Sequence, residues 1–253
     1  MLWNASALKG YPIKATDGEL GTVCDLMYEE SNWAIRWVVV DTGDWLSGRL
    51  VVLPVAVVGQ PDPEAHCVPA RLTMKQVEQS VGVDSVRTGN SDSLDCEQEN
   101  LPQGRDHYIW GHHDGNTPPA IALDPRVLSG ATRATADMAV ARGDGHVSSI
   151  SAITGYSIEA TDGHIGHAED FLIDTALWQV RYLIVHTSRW WPSEKLLVSP
   201  LSVERIDRHE STIHIAETRQ RVKDSPPYIA ADTVDGAFEE LFHTYYGLRG
   251  ASL

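Results

Sequence analysis

Apolar positions along this chain come in short runs separated by small polar clusters. Leu20–Tyr28 reads as one strand, and Glu29–Asn32 as a polar turn. Trp33-Ala-Ile-Arg-Trp-Val-Val-Val40 is rich in aromatic and β-branched residues, which suit a pleated, half-buried surface. Leu50–Leu53 is a further strand, ended by Pro54. The pattern returns with Ile165–Ile173, Trp178–Val185 and Leu196–Val198. Two helices interrupt it. Thr73-Met-Lys-Gln76 is a capping box that opens a brief helix to about Ser80. Phe238, Leu241, Phe242 and Tyr245 fall at i, i+3, i+4 and i+7, one apolar face of a helix that Gly247 stops.

The recurrence is a repeat. At an offset of 145 residues, Ser6–Leu53 aligns without a gap on Ser151–Val198, with 16 identities in 48 positions. The shared residues include Gly10/Gly155, Tyr11/Tyr156, Asp25/Asp170, Trp33/Trp178, Arg36/Arg181 and Trp45/Trp190. Each copy also carries Thr-Asp-Gly, a tight-turn signal in which Gly takes positive φ and Asp bonds nearby backbone. Asp17, Gly18 and Gly21, with Asp162, Gly163 and Gly166, are therefore expected to be structural turn residues. Short strands at regular spacing predict an all-β chain of two small barrels, whose closure protects their edges. The expected domains are 1–85, a partly loop-like connector 86–145, and 146–253 with the C-terminal amphipathic helix.

These residues carry a resemblance. Leu-x-Gly-Tyr-x-Ile-x-Ala-Thr-Asp-Gly-x-x-Gly, then Asp, then Trp-x-x-Arg and a later Trp and Pro, resembles the PRC-barrel domain. That module is named for the barrel of the photosynthetic reaction centre H subunit, and a related barrel forms part of a bacterial ribosome maturation factor. The tandem arrangement is similar to bacterial two-barrel proteins, in which each half tends to end in an acidic segment and Tyr-Tyr-Gly. Phe238-Glu-Glu-Leu-Phe-His-Thr-Tyr-Tyr-Gly247 matches, and His107-Tyr-Ile-Trp-Gly111 is a degraded counterpart. The likeness covers residues 4–80 and 147–247. It implies barrels that act as adaptors and carry no catalytic residues.

Charge narrows the partner. Lys+Arg is 20 and Asp+Glu 35, a net charge of −15 with no basic island. Direct nucleic-acid binding is disfavoured, since it depends on Lys and Arg neutralising phosphates. A basic protein partner is favoured. No apolar run approaches the ~20 residues that span a bilayer. Met1–Gly10 lacks a basic region followed by an apolar run, so no secretory leader is expected. Three cysteines, Cys24, Cys67 and Cys96, predict no disulfide framework and a reducing cytoplasm.

Candidate chemistry is sparse. His164, His167 and His186 could ligate a metal with Glu169 and Asp170, although the first copy has Glu19, Thr22 and Asp41 in place of the three histidines. His107, His112, His113 and Asp114 form a second cluster that fits no zinc spacing. Asp25 with Arg36, and Asp170 with Arg181, are expected as cross-strand ion pairs. Trp33, Trp45, Trp178, Trp190 and Trp191 are candidate contact residues, because Trp concentrates at interface hot spots. No nucleophile-elbow, phosphate-loop or dinucleotide motif occurs, so neither catalysis nor a cofactor is expected. The leading expectation is a soluble adaptor that binds protein partners, its two barrels either packing in pseudo-two-fold fashion or pairing with a second chain as a homodimer. A factor gripping a basic ribosomal protein, and a metal-dependent protein using the histidines, are the alternatives.

Overall fold

The computed structural model describes residues 1–46, 50–79, 147–187, 195–229 and 234–247, and the backbone of 107–109. In chain order the strands are β1 (Leu2–Asn4), β2 (Pro12–Lys14), β3 (Glu19–Glu29), β4 (Ala34–Asp41), β5 (Leu50–Pro54), β6 (Val68–Pro69), β7 (His107–Ile109) and β8 (Val147–Ser149). They continue as β9 (Ser157–Ala160), β10 (Gly163–Asp174), β11 (Gln179–Thr187), β12 (Lys195–Val198), β13 (Val203–Asp207) and β14 (Thr212–Ile215). The helices are α1 (Ala5–Leu8), α2 (Met74–Gln79), α3 (Ile150–Ile153), α4 (Arg219–Lys223) and α5 (Gly236–Tyr246). The chain is strand-dominated, as the apolar pattern predicts. Four expected strands gain one or two residues at an end, and the two that begin at Trp33 and Trp178 start one residue later.

Two compact units form, and neither is contiguous in sequence. One comprises Lys9–Ser31 and Ile35–Ser149, the other Met1–Leu8, Asn32–Ala34 and Ile150–Leu253. The first, the N-terminal unit, is a curled mixed sheet in the order β6-β2-β3-β4-β5-β7, with β8 also paired to β3. β6 runs parallel to β2, and β7 parallel to β5. Its innermost side chains, all under 2% exposed, are Ile13, Leu20, Ile35, Val38, Leu53 and Leu72. The capping box forms as expected: Gln76 N–H donates to Thr73 Oγ1 at 3.1 Å and Thr73 N–H to Gln76 Oε1 at 2.8 Å.

The C-terminal unit has the order β13-β14-β9-β10-β11-β12, with β1 also paired to β10. β14 runs parallel to β9. Ile158, Ile165, Phe171, Val180, Leu183 and Ile213 fill its interior. The unit's Asn32–Ala34 segment is held at Trp33 O, which accepts from Val180 N–H at 3.0 Å. The opposite face of the same strands is also buried. Leu172, Tyr182, Ile184 and Leu197 pack with Phe242 and Tyr246 of α5. Both faces being covered explains the unbroken apolar run Tyr182–Val185, where a half-exposed strand would alternate.

Helix α5 starts where Asp235 caps it, accepting from Phe238 N–H at 2.9 Å, and ends at Gly247 with φ +72°. Its buried stripe is not quite the one the spacing predicts. Phe242 and Tyr246 are buried and Phe238 and Tyr245 pack at the margin, while Leu241 stays 58% exposed. The stripe is rotated toward Tyr246, whose ring lies 4.7 Å from that of Phe242.

The cysteine expectation needs correction. Cys24 is disulfide-bonded, whereas Cys67 is a free, buried thiol. The cysteine set therefore no longer argues for a reducing compartment. Among the described residues, no helix is long and apolar enough to cross a membrane.

Candidate functional site

In each unit, contacts between residues more than a hundred positions apart converge on one carboxylate. Asp25 is 1% exposed and Asp170 9%. Asp170 lies just past a bulge in β10, between the β10–β11 pairs Ala168↔Val185 and Asp170↔Ile184. One of its oxygens accepts the next residue's amide, Phe171 N–H at 2.8 Å, and Asp25 does the same with Leu26 N–H at 2.7 Å. The remaining bonds come from far away. Ser6 donates its N–H to Asp170 at 3.1 Å and its hydroxyl at 2.5 Å, and Ser149 Oγ–H donates to Asp25.

Those serines belong to short N-terminal hooks. β1 leads into α1 and lies antiparallel on β10, with Leu2↔Asp174 and Asn4↔Leu172. β8 lies antiparallel on β3, with Glu29↔Val147 and Met27↔Ser149. The two registers differ by the 145-residue repeat offset, position for position. The strand ahead of the first repeat thus completes the C-terminal unit, and the strand ahead of the second completes the N-terminal unit. Nothing in the hydrophobic pattern of either hook signals this. The repeated Asp does signal a shared buried polar contact.

The expected ion pairs Asp25–Arg36 and Asp170–Arg181 do not form. Asp170 stands opposite Ile184, three residues from Arg181. Arg36 pairs instead with Glu29, and Arg181 with Glu239 at 3.2 Å. The latter joins a small network under α5. Tyr182 Oη–H lies 3.3 Å from Glu239 Oε1 and 3.4 Å from His243 Nε2. Burial, reinforced by the Glu239 charge, raises the pKa of the Tyr182 hydroxyl far above its ordinary value. Burial also pushes Tyr246 up to about 12.

The turn residues reach further than their own backbone. Asp17 Oδ1 accepts from Met74 N–H at 2.8 Å, and Asp162 Oδ1 from Arg219 N–H at 2.7 Å. Each carboxylate thus satisfies a free amide at the first turn of the helix that follows. Gly21 and Gly166 are close-approach sites, where an added Cβ would stand 1.9 Å from Asp41 O and 2.0 Å from His186 O. Gly163 takes φ +129°, and a Cβ on Gly18 would meet only the flexible Met74 side chain.

The histidines divide. His167 and His186 are cross-strand partners with ring centroids 5.1 Å apart. His186 Nδ1 lies 3.5 Å from Glu169, whose other oxygen binds Lys195 Nζ at 2.7 Å. His164 is held apart from that pair by Glu159 at 3.1 Å and Ser157 at 3.0 Å. Among the described residues no three His, Cys, Asp or Glu side chains are arranged to hold a metal. The Lys195 ammonium already holds one Glu169 oxygen. The side chains of the other candidate cluster, His107, His112, His113 and Asp114, lie outside the described residues.

Two of the candidate tryptophans are interior. Trp33 and Trp178 are 6% and 8% exposed and take φ of +59° and +52° at the turns before β4 and β11. A bulky residue is rare there, yet both repeats use it. Trp45 is half-buried and its Nε1–H donates to Leu20 O at 2.7 Å. Trp190 and Trp191 lie outside the described residues.

No curated protein sequence matches the chain. One family model does, and it covers β1's last residue through the turn after β5. Residues 4–66 are a PRC-barrel domain.

Proposed function

We propose that this chain is a non-catalytic adaptor built from two PRC-type barrels, the second spanning residues 147–247, and that it binds a basic protein partner. The observation that carries the reading is the barrel domain at residues 4–66, a type of small interaction module. Charge supports the choice of partner: at −15, with acidic residues spread along the chain, the protein attracts and orients cationic surfaces. The distribution of polar groups supports a non-catalytic role. The buried carboxylates Asp25 and Asp170 are consumed by hydrogen bonds from backbone and serine, and Asp17 and Asp162 by helix amides. Fold likeness alone does not establish function, so the test is direct.

The full chain is immobilised and challenged with gently crosslinked lysate of its native host, at low and at high salt. The expected result is one abundant basic protein, retained at low salt and released as salt screens the attraction. Recovery of the chain alone, or of partners with no excess of Lys and Arg, would overturn the reading.

A further inference from the structure

The hook carries an interaction of its own. Within the C-terminal unit, Met1–Leu8 contributes a three-residue strand, a four-residue helix with Ala5 and Leu8 buried, and the two Ser6 bonds to Asp170. The residues that follow it, Lys9 and Gly10, belong to the N-terminal unit; Lys9 is exposed, and Gly10 N–H donates to Val23 O at 2.8 Å. Gly10 has φ +76°, and no atom lies within 4 Å of where a Cβ would stand. Gly10 is thus a sterically open pivot two residues after the hook. Gly155 repeats it, with φ +87°, open space around it, and a bond from its N–H to Ala168 O at 2.7 Å.

We propose that the slot along β10 accepts the hook of a second copy of this chain, so that full chains pair by exchanging Met1–Leu8. The slot already takes its strand from a distant part of the sequence. It recognises that strand by backbone pairing and by a carboxylate that needs a Ser at one position, and the second copy's hook offers the same eight residues. The strand pairing and the Ser6 bonds that break when a hook leaves re-form when the other copy's hook enters. Only the pivot changes, which is the condition under which domain exchange is a low-cost route to dimers. Leaving the slot empty is the unfavourable state, since it uncovers the β10 edge and strips the buried Asp170 of its hydroxyl partner. This goes beyond the adaptor reading and does not depend on a basic partner.

The test uses the full chain carrying Leu2→Cys and Asp174→Cys together, prepared in light and heavy nitrogen isotopes. The two positions are direct register partners and both are half-buried. Light and heavy chains are mixed over a concentration series, held at mild temperature, oxidised and digested. Linked peptides spanning residues 2 and 174 are then weighed. The expected result is mixed light–heavy links that rise with concentration toward half of the total. Links of one isotope only at every concentration would overturn the proposal, as would no link between these positions at all. Light scattering on the unaltered chain guards against a variant that misfolds. It should show a species of twice 27.8 kDa that grows with concentration and decays slowly on dilution. A monomer throughout would overturn the proposal equally.

Discussion

Ser6 and Asp170 stand 164 positions apart in the chain and are joined by two hydrogen bonds, from the backbone N–H and from the hydroxyl of the serine. The contact makes an eight-residue hook at the start of the chain part of the C-terminal unit. Replacing Ser6 with Ala leaves a buried carboxylate oxygen short of a donor, at a cost of about 1–3 kcal/mol. Urea denaturation of Ser6→Ala should show a lower midpoint with an unchanged slope. A midpoint equal to that of the parent chain would mean that the hook is not held through Asp170.

Asp170 and Arg181 should be energetically independent. A double-mutant cycle on Asp170→Asn and Arg181→Met is expected to give no coupling, whereas Arg181→Met with Glu239→Gln should couple by up to about 1 kcal/mol, the range for partly exposed pairs. Coupling that appears in the first cycle and not the second would restore the cross-strand pair that the strand pattern suggests.

Glycines of like sequence context should differ in tolerance. Gly166→Ala drives a methyl to 2.0 Å from His186 O, where backbone rather than a mobile side chain must give way. Overpacking of this kind costs about 1–3 kcal/mol or more. Gly10→Ala meets nothing and carries only the left-handed backbone cost of about 1–2 kcal/mol. Thermal melts of the two variants should rank Gly166→Ala as the more damaging.

The α5 stripe predicts a similar contrast. Phe242→Ala empties a fully buried site and should cost about 3–5 kcal/mol. Leu241→Ser, on the exposed side of the same helix, should shift stability by about 0.5 kcal/mol or less. Equal losses would place the helix in the orientation that the i, i+3, i+4, i+7 spacing suggests.

Alkaline pH should loosen the same helix. Tyr182 and Tyr246 ionise less readily folded than unfolded, mainly because they are buried. A phenol whose folded value is raised contributes its full stability below the unfolded value of about 10. That contribution falls as pH rises from about 10 toward 12 and beyond. Ultraviolet titration should show a group of late-ionising tyrosines, Tyr182 and Tyr246 among them, in the native protein that joins the rest in denaturant. Tyr182→Phe should shrink that late group by one phenol. Eight tyrosines titrating together near pH 10 would contradict the packing of α5.

Much of this fold is legible in the sequence because it rests on local chemistry. The central strands follow from β-branched and aromatic runs, the capping box at Thr73 from two side chains three residues apart, and the end of α5 from Gly247. The exposure of Leu241 is less legible. A 3.6-residue period does not say which edge of an apolar stripe meets the sheet, and the Phe242–Tyr246 ring contact decides it. The hooks are not legible at all. Leu2–Asn4 and Val147–Ser149 are three residues each, too short for a periodicity, and pairing across more than a hundred residues leaves no local trace. The ion-pair expectation failed for a related reason: the hairpin register, which pairs Asp174 with Gln179, sets Asp170 opposite Ile184 rather than Arg181, and residue spacing does not reveal it. At the site, the turn aspartates and close-approach glycines stand out as repeated residues, but their partners, helix amides and carbonyls, are backbone atoms and carry no sequence signal.

The central claim is that each unit is completed by a strand from the opposite end of the repeat pair. Amide hydrogen exchange on the full chain, compared with a chain lacking Met1–Leu8, tests it most directly. Removing the hook is expected to strip protection from the amides of Leu172–Asp174 that face β1, and to leave Met27–Glu29 protected by β8. Loss of protection along Met27–Glu29 with Leu172–Asp174 unchanged would show that the hook pairs within its own repeat, and would contradict the claim.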